Sequence, residues 1–266
     1  MNSVKIGKVI FYLCATMIVF YGVAVGVMRI YAPFQFDVFE GKVLCEAYES
    51  SLGNPVYHDP DLPGAPTVYT PLYPLFVGLF LRFLPPLFLW GRVISTICFI
   101  GIIWLSVKTF YRDVGRNTIG IVALITAMIS TLWKTDWICV LHKPDAMSVF
   151  LWLAGLLLLI NEKKFSDAIA ALLIAGAFFA KQTAILVLPG TLIYLWLDKP
   201  RRAVLFFLEY FTLWFVWCGI VYIWAGDHVF FYVFRRMWMK IEYSFPLSQI
   251  FHYALAPREL PFIVLC

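Results

Sequence analysis

Apolar residues in this chain come in long runs separated by short polar breaks, and the runs over 9–32, 93–110, 119–133, 146–160, 168–180, 184–197 and 203–225 recur at the length needed to cross about 30 Å of hydrocarbon as helix. The period-2 alternation of an outer-membrane barrel is missing. One polar interval, 34–74, breaks the rhythm and carries Asp37, Glu40, Glu46, Glu49, Asp59 and Asp61. Inside it, 37–52 has helical spacing, with Val38, Leu44, Cys45, Tyr48 and Leu52 available for one face, and Gly53-Asn54-Pro55 stops that helix. The apolar segment 71–89 is opened by Pro71 and Pro74, interrupted by Arg82 and closed by Pro85-Pro86. A helix over 72–84 reaches only about 20 Å, short of a span, so it is expected to lie in or dip into the outer interface. The pattern predicts an all-α polytopic membrane protein with one domain over 1–266 and long extracytoplasmic loops at 32–91 and 226–259.

Composition agrees with the pattern. Hydrophobic residues make up 62% of the chain and charged residues 14%, against roughly 25% charged in an average soluble domain. Trp and Tyr fall largely near the ends of the runs, as interfacial anchors do. The net charge of +5 is spread over loops, which calls for no nucleic-acid partner. Cys14, Cys98, Cys218 and Cys266 lie in apolar runs and read as inert core thiols, while Cys45 and Cys139, in polar segments, are the one pair open to a disulfide.

Charge also orients the chain. Lys5 and Lys8 precede a first run that is too long for a signal peptide and lacks a small-residue cleavage site, so it is expected to be an uncleaved span with a cytoplasmic N-terminus. If 72–84 does not cross, the clusters Lys108/Arg112/Arg116, Lys163/Lys164 and Lys199/Arg201/Arg202 all face the cytoplasm; the other topology exports them on short loops. The non-crossing topology brings 34–74, the loop 134–145, the turn 181–183 and the basic loop 227–260 to one extracytoplasmic face, where their ionisable groups would line one cavity.

Each candidate there has a bland reading beside its chemical one. Asp37 and Glu40, spaced i, i+3, present two carboxylates on one side of a helix, yet an N-cap and a first-turn acid need no chemistry. Asp145 follows Pro144 at a helix start and fits a cap as well as a catalytic acid. Lys181 interrupts two apolar runs, so it suits an interfacial snorkel or an anion site. His142 has no second ligand at metal spacing. Arg235, Arg236 and Lys240 alternate with Phe and Trp, a pattern for lipid headgroups or for a lipid-linked phosphate. No Gly-rich nucleotide loop occurs.

The order of D-x-x-E-G (37–41), L-G-N-P-V-Y (52–57), Y-T-P-L-Y-P (69–74), K-P-D (143–145) and A-K-Q-T followed by L-P-G (180–190) resembles the GT-C superfamily of polytopic glycosyltransferases, closest to its dolichyl-phosphate-mannose-protein mannosyltransferase-like and RgtA/B/C/D-like branch. The resemblance implies a bundle of about seven or eight transmembrane helices and inverting transfer of a sugar from a polyprenyl-phosphate donor to a lipid, glycan or protein acceptor. The reaction would take place at the outer face of a bacterial cytoplasmic membrane, or in the ER lumen of a eukaryote. It implies Glu40 as first choice for general base with Asp37 beside it, and Asp145 as second acid. Lys181 and the Arg235/Arg236 pair would hold the donor phosphate, and His142, Lys143, Gln182, Tyr69 and Tyr73 would contact substrate. No cofactor is implied, and a divalent metal between the acids is not demanded. Many members carry two adjacent acids where this chain has Phe39 before Glu40, so the choice between Asp37 and Glu40 stays open. Members are usually longer, and this sequence stops at Cys266 a few residues into what reads as another span, so a fragment or a reduced member is expected. The competing classes are a transporter or lipid flippase, which would place its ionisable groups nearer the bilayer midplane, and a catalytically inactive fragment.

Overall fold

The apolar runs become helices, and no strand occurs among the described residues of the computed structural model, 3–57, 69–134, 141–161, 166–226 and 228–235. They are α1 (Ser3–Tyr31), α2 (Val38–Ser51), α3 (Leu72–Leu81), α4 (Phe88–Val114), α5 (Thr118–Lys134), α6 (Asp145–Asn161) and α7 (Ser166–Ala180). A 3₁₀ turn (Gln182–Leu186), α8 (Val187–Asp198), α9 (Pro200–Ala225) and a π turn (Phe231–Arg235) complete the order. By length and composition α1, α4 and α9 are long and apolar enough to cross a membrane. At 17, 17 and 15 residues, α5, α6 and α7 span only about 22–26 Å. Among the described residues three helices thus have the length and composition to cross, fewer than the seven apolar runs of the sequence.

Proline explains both places where helix bounds depart from the pattern. The helix expected over 72–84 ends at Leu81, because Leu84 precedes Pro85 and the residue before a proline avoids helical backbone; the chain closes in a tight turn with Phe83 N donating to Phe80 O at 3.0 Å. The run 184–197 splits into a 3₁₀ turn and α8 because a helical Pro189 would press its ring on the Ile185 carbonyl, which leaves Pro189 in the first turn of α8.

The bundle has two polar ends. At one, Arg202 donates to Asp167 at 2.7 and 2.8 Å and to Leu159 O at 2.7 Å, and Arg112 Nη1 reaches Asn161 Oδ1 at 3.4 Å. At the other lie the C-terminal ends of α1, α7 and α9 and the N-terminal ends of α4 and α6, with α2 and α3 folded across them. Both flanks of α3 are tied to this second end: Thr70 Oγ1 donates to Phe178 O at 2.9 Å, and Trp90 Nε1 donates to Pro85 O at 3.1 Å.

Small residues in α7 let it become the hub. Ala170, Ala171, Ala175, Gly176 and Ala177 are buried, and α6 comes so close that a Cβ on Gly155 would meet Ile174 Cγ1 at 2.7 Å. This packing fixes Lys181, one residue beyond the end of α7. Large apolar side chains such as Met17, Phe20, Phe215 and Ile223 stay on the outside, a surface suited to lipid. Cys14 is exposed on α1, which corrects its reading as a core thiol; Cys98 and Cys218 are half-buried and Cys45 is an exposed free thiol. Cys139 and Cys266, and with them the Cys45–Cys139 pairing, lie outside the described residues.

Candidate functional site

The site begins with an arginine that the sequence reading passed over. Arg92 sits on the first turns of α4 and is fully buried, and all five of its N–H groups are used. Nε and Nη2 donate to Glu40 Oε1 and Oε2 at 3.0 and 2.9 Å, Nη1 to Arg29 O and Ala32 O at 2.8 and 2.6 Å, and Nη2 also to Phe34 O at 2.8 Å. These carbonyls belong to the last turn of α1 and the residues just after it, so one side chain ties down that helix end and pairs an acid at once. Phe36 and Phe88 rings lie 5.0 and 5.1 Å from the guanidinium.

Glu40 is equally saturated. Beyond Arg92 it accepts His142 N on Oε1 and Phe36 N on Oε2, both at 2.8 Å. Burial works to raise its carboxyl, but the hydrogen bonds from Arg92, His142 and Phe36 outweigh it and hold the group below the usual carboxylate range. With both oxygens engaged and no exposure, this carboxylate is placed to clamp the α1 end, the α2 start and the 141–143 turn together.

Two more acid–cation pairs open progressively toward solvent. Asp37 caps α2, accepting Phe39 N on Oδ1 at 2.7 Å, as its capping reading expected, and its Oδ2 meets Lys143 Nζ at 3.0 Å. Asp145, in the first turn of α6, is paired through Oδ1 with Lys181 Nζ. Exposure is 2% for the Lys143 side chain and 11% for Asp37, then 15% for Asp145 and 23% for Lys181, so the Asp145–Lys181 pair is the more open of the two. An aromatic pair joins the two. Lys143 Nζ lies 5.5 Å from the Phe39 ring, Phe39 is 5.9 Å from Tyr69, and Lys181 Nζ is 5.5 Å from the Tyr69 ring. Burial and then the charges of Asp145, Asp37 and Glu46 push the Tyr69 hydroxyl up to about 12. Tyr57 holds the backbone of this segment, its hydroxyl donating to Tyr69 O while its own N–H donates to Ala225 O at 2.9 Å. Gly226 follows at φ 95°, where a Cβ would meet that Tyr57 carbonyl at 2.8 Å.

The remaining candidates divide. Tyr73 is buried, donating to Gly91 O at 2.8 Å and lying 2.9 Å from Ser95 Oγ, so its hydroxyl fastens α3 to α4 instead of meeting substrate. His142 is buried too, its ring packed so closely on α4 that a Cβ on Gly91 would stand 2.2 Å from it. Among the described residues neither ring nitrogen has a hydrogen-bond partner. Gln182 is buried and borders a cavity of about 220 Å³ shared with Phe178, Tyr210, Trp214 and Phe234. Arg236 and the side chain of Arg235 lie outside the described residues. Among the described residues no group of three metal-ligating side chains converges.

His142 makes the site sensitive to acid. Burial pushes its imidazole down to about 4, with Glu40 opposing and Arg92 adding to the fall. The unfolded chain therefore binds a proton near pH 6.5 that the folded chain refuses until about pH 4. Stability is full above pH 6.5 and declines as pH falls through that window, by on the order of 2–3 kcal/mol at the acid end. A thermal unfolding series from pH 7 to 4.5 in detergent should show this slope, and His142→Phe should flatten it; an unchanged slope in the variant would assign the acid sensitivity elsewhere.

Comparison of the chain with family models, with curated proteins and with solved structures gives no match.

Proposed function

We propose that the chain is an integral-membrane glycosyltransferase that moves a monosaccharide, with inversion, from a polyprenyl-phosphate donor to a lipid, glycan or protein acceptor on the extracytoplasmic face. The observation that carries this reading is two acid–lysine contacts, the largely buried Asp37–Lys143 pair and the partly exposed Asp145–Lys181 pair, set around Phe39 and Tyr69 at one end of an apolar helical bundle. Seven helices, α1 and α4 to α9, alternate between the two ends. The Arg112/Arg202 end carries the basic clusters expected in the cytoplasm. Both flanks of α3 return to the acidic end, which supports a helix that does not cross. The two acid–lysine pairs share one end, away from the midplane, which favours a transferase over a carrier.

The chemistry follows from the outer pair. A donor phosphate competes with the Asp145 carboxylate for Lys181, and as the lysine turns to the phosphate, Asp145 is released as a base. The acceptor hydroxyl gives its proton to Asp145, its oxygen bonds to the anomeric carbon from the face opposite the phosphate, and the carbon–oxygen bond to phosphate breaks. Polyprenyl phosphate leaves with the bonding electrons. Lys181 answers its charge, with Lys143 behind it holding Asp37, Tyr69 offers a hydroxyl, and the Glu40–Arg92 clamp keeps the α2 start and the 141–145 segment in place.

This assigns the phosphate to Lys181. Lys181→Gln should raise the donor KM about tenfold or more while leaving the acceptor KM within about twofold. Initial-rate measurements with each substrate varied in turn check it, and equal effects on both would move the phosphate to Lys143 or to the basic segment after 235.

A further inference from the structure

The second arginine of the α3–α4 region is the opposite of the first. Arg82 follows the last residue of α3, its side chain is exposed, and among the described residues it has no hydrogen-bond or ion-pair partner. It borders a small cleft of about 110 Å³ between the ends of α2, α3 and α9, where Ser50 and Asn54 supply polar groups and Leu79, Ile223 and Trp224 supply apolar ones. Glu49, next to the cleft, is engaged by Asn54 Nδ2 at 2.7 Å. Around the arginine the surface is apolar: Phe76, Leu79 and Phe80 on α3 are exposed, Phe83 is 87% exposed and Ile223 on α9 is 79% exposed.

A lone cation ringed by exposed aromatic and aliphatic side chains, beside a Trp at the end of a helix long enough to cross, matches a phosphodiester headgroup with its chains below. We propose that Arg82 and this cleft hold the phosphate of an anionic membrane lipid in the outer leaflet, with the exposed face of α3 seated among its acyl chains. The site lies at the C-terminal end of α3, whereas the acid–lysine pairs meet Tyr69 before its N-terminal end, and it takes no part in the transfer; it anchors α3, and through Tyr73 the start of α4, at a fixed depth. It rests on α3 lying at the outer interface. A solvated arginine answering the dipole of the α3 C-terminus would need no lipid and would show no lipid selectivity.

The test uses the full chain purified in mild detergent with phosphatidylcholine and phosphatidylglycerol at 9:1, the bound lipids being counted by native mass spectrometry. Phosphatidylglycerol should be retained about fivefold beyond its share, Arg82→Gln should lose that preference, and Arg82→Lys should keep most of it. An unchanged preference in Arg82→Gln overturns the proposal. Loss of the retained lipid on adding millimolar inorganic phosphate also overturns it, since a soluble anion would then be the ligand. A parallel arm labels Phe83→Cys with a membrane-impermeant maleimide in intact cells, read above the unsubstituted chain. Labelling from outside is expected, and labelling only after permeabilisation overturns the interfacial placement of α3 itself and with it the lipid site.

Discussion

Arg92→Met should destabilise the chain by about 3–5 kcal/mol, the usual cost of leaving one partner of a buried ion pair uncompensated. The substitution fills much of the space but leaves Glu40 as a buried charge with only backbone donors, and it removes the guanidinium donors from Arg29 O, Ala32 O and Phe34 O. Three segments then lose their common anchor: the end of α1, the loop into α2 and the 141–143 turn. Joint replacement in Arg92→Met/Glu40→Leu should recover a large part of the loss, because no unpaired charge remains and the two sites are directly coupled. Thermal unfolding of the three proteins in the same detergent measures this. If Arg92→Met unfolds with the wild type, the clamp is not what holds this end together.

Asp145→Asn should lower turnover on the order of 10²–10⁴-fold, the usual worth of a general base, with little change in donor binding. Asn keeps the shape and one hydrogen-bond acceptor for Lys181 but cannot take the acceptor proton. Asp37→Asn should cost far less, because Asn remains a good cap for α2 and the Lys143 contact is the more buried of the two. Glu40→Gln should act on folding more than on chemistry, since its carboxylate meets only Arg92 and backbone donors. Steady-state rates for the three variants, each matched for the amount of folded protein, separate these outcomes. A larger activity loss in Asp37→Asn than in Asp145→Asn would exchange their roles.

The helices were legible because a lipid-like run has only one way to satisfy its backbone, and the Asp37 cap because capping is local. The convergence of 37–40, 143–145 and 181 was legible through topology, since charged loops that share a side of the membrane must share an end of the bundle. The Glu40–Arg92 pair was not. Its partners are 52 residues apart, and an arginine beside an apolar run looks like an interfacial residue until three-dimensional packing closes over it. That one pairing buries Glu40, and Tyr73 and His142 are likewise buried where α3 and the 141–145 turn meet α4. Spacing such as i, i+3 tells which side chains share a face, but not what comes to cover that face.

Sugar release from the donor tests the transferase assignment most directly, because it needs no prior choice of acceptor. The chain is reconstituted in vesicles with membrane lipid extract and a labelled polyprenyl-phosphate sugar, and the appearance of free polyprenyl phosphate is followed for wild type and Asp145→Asn at equal protein. The assignment predicts turnover by the wild type and a rate at least a hundredfold lower for the variant. Equal rates in the two, with the donor demonstrably bound, would contradict it.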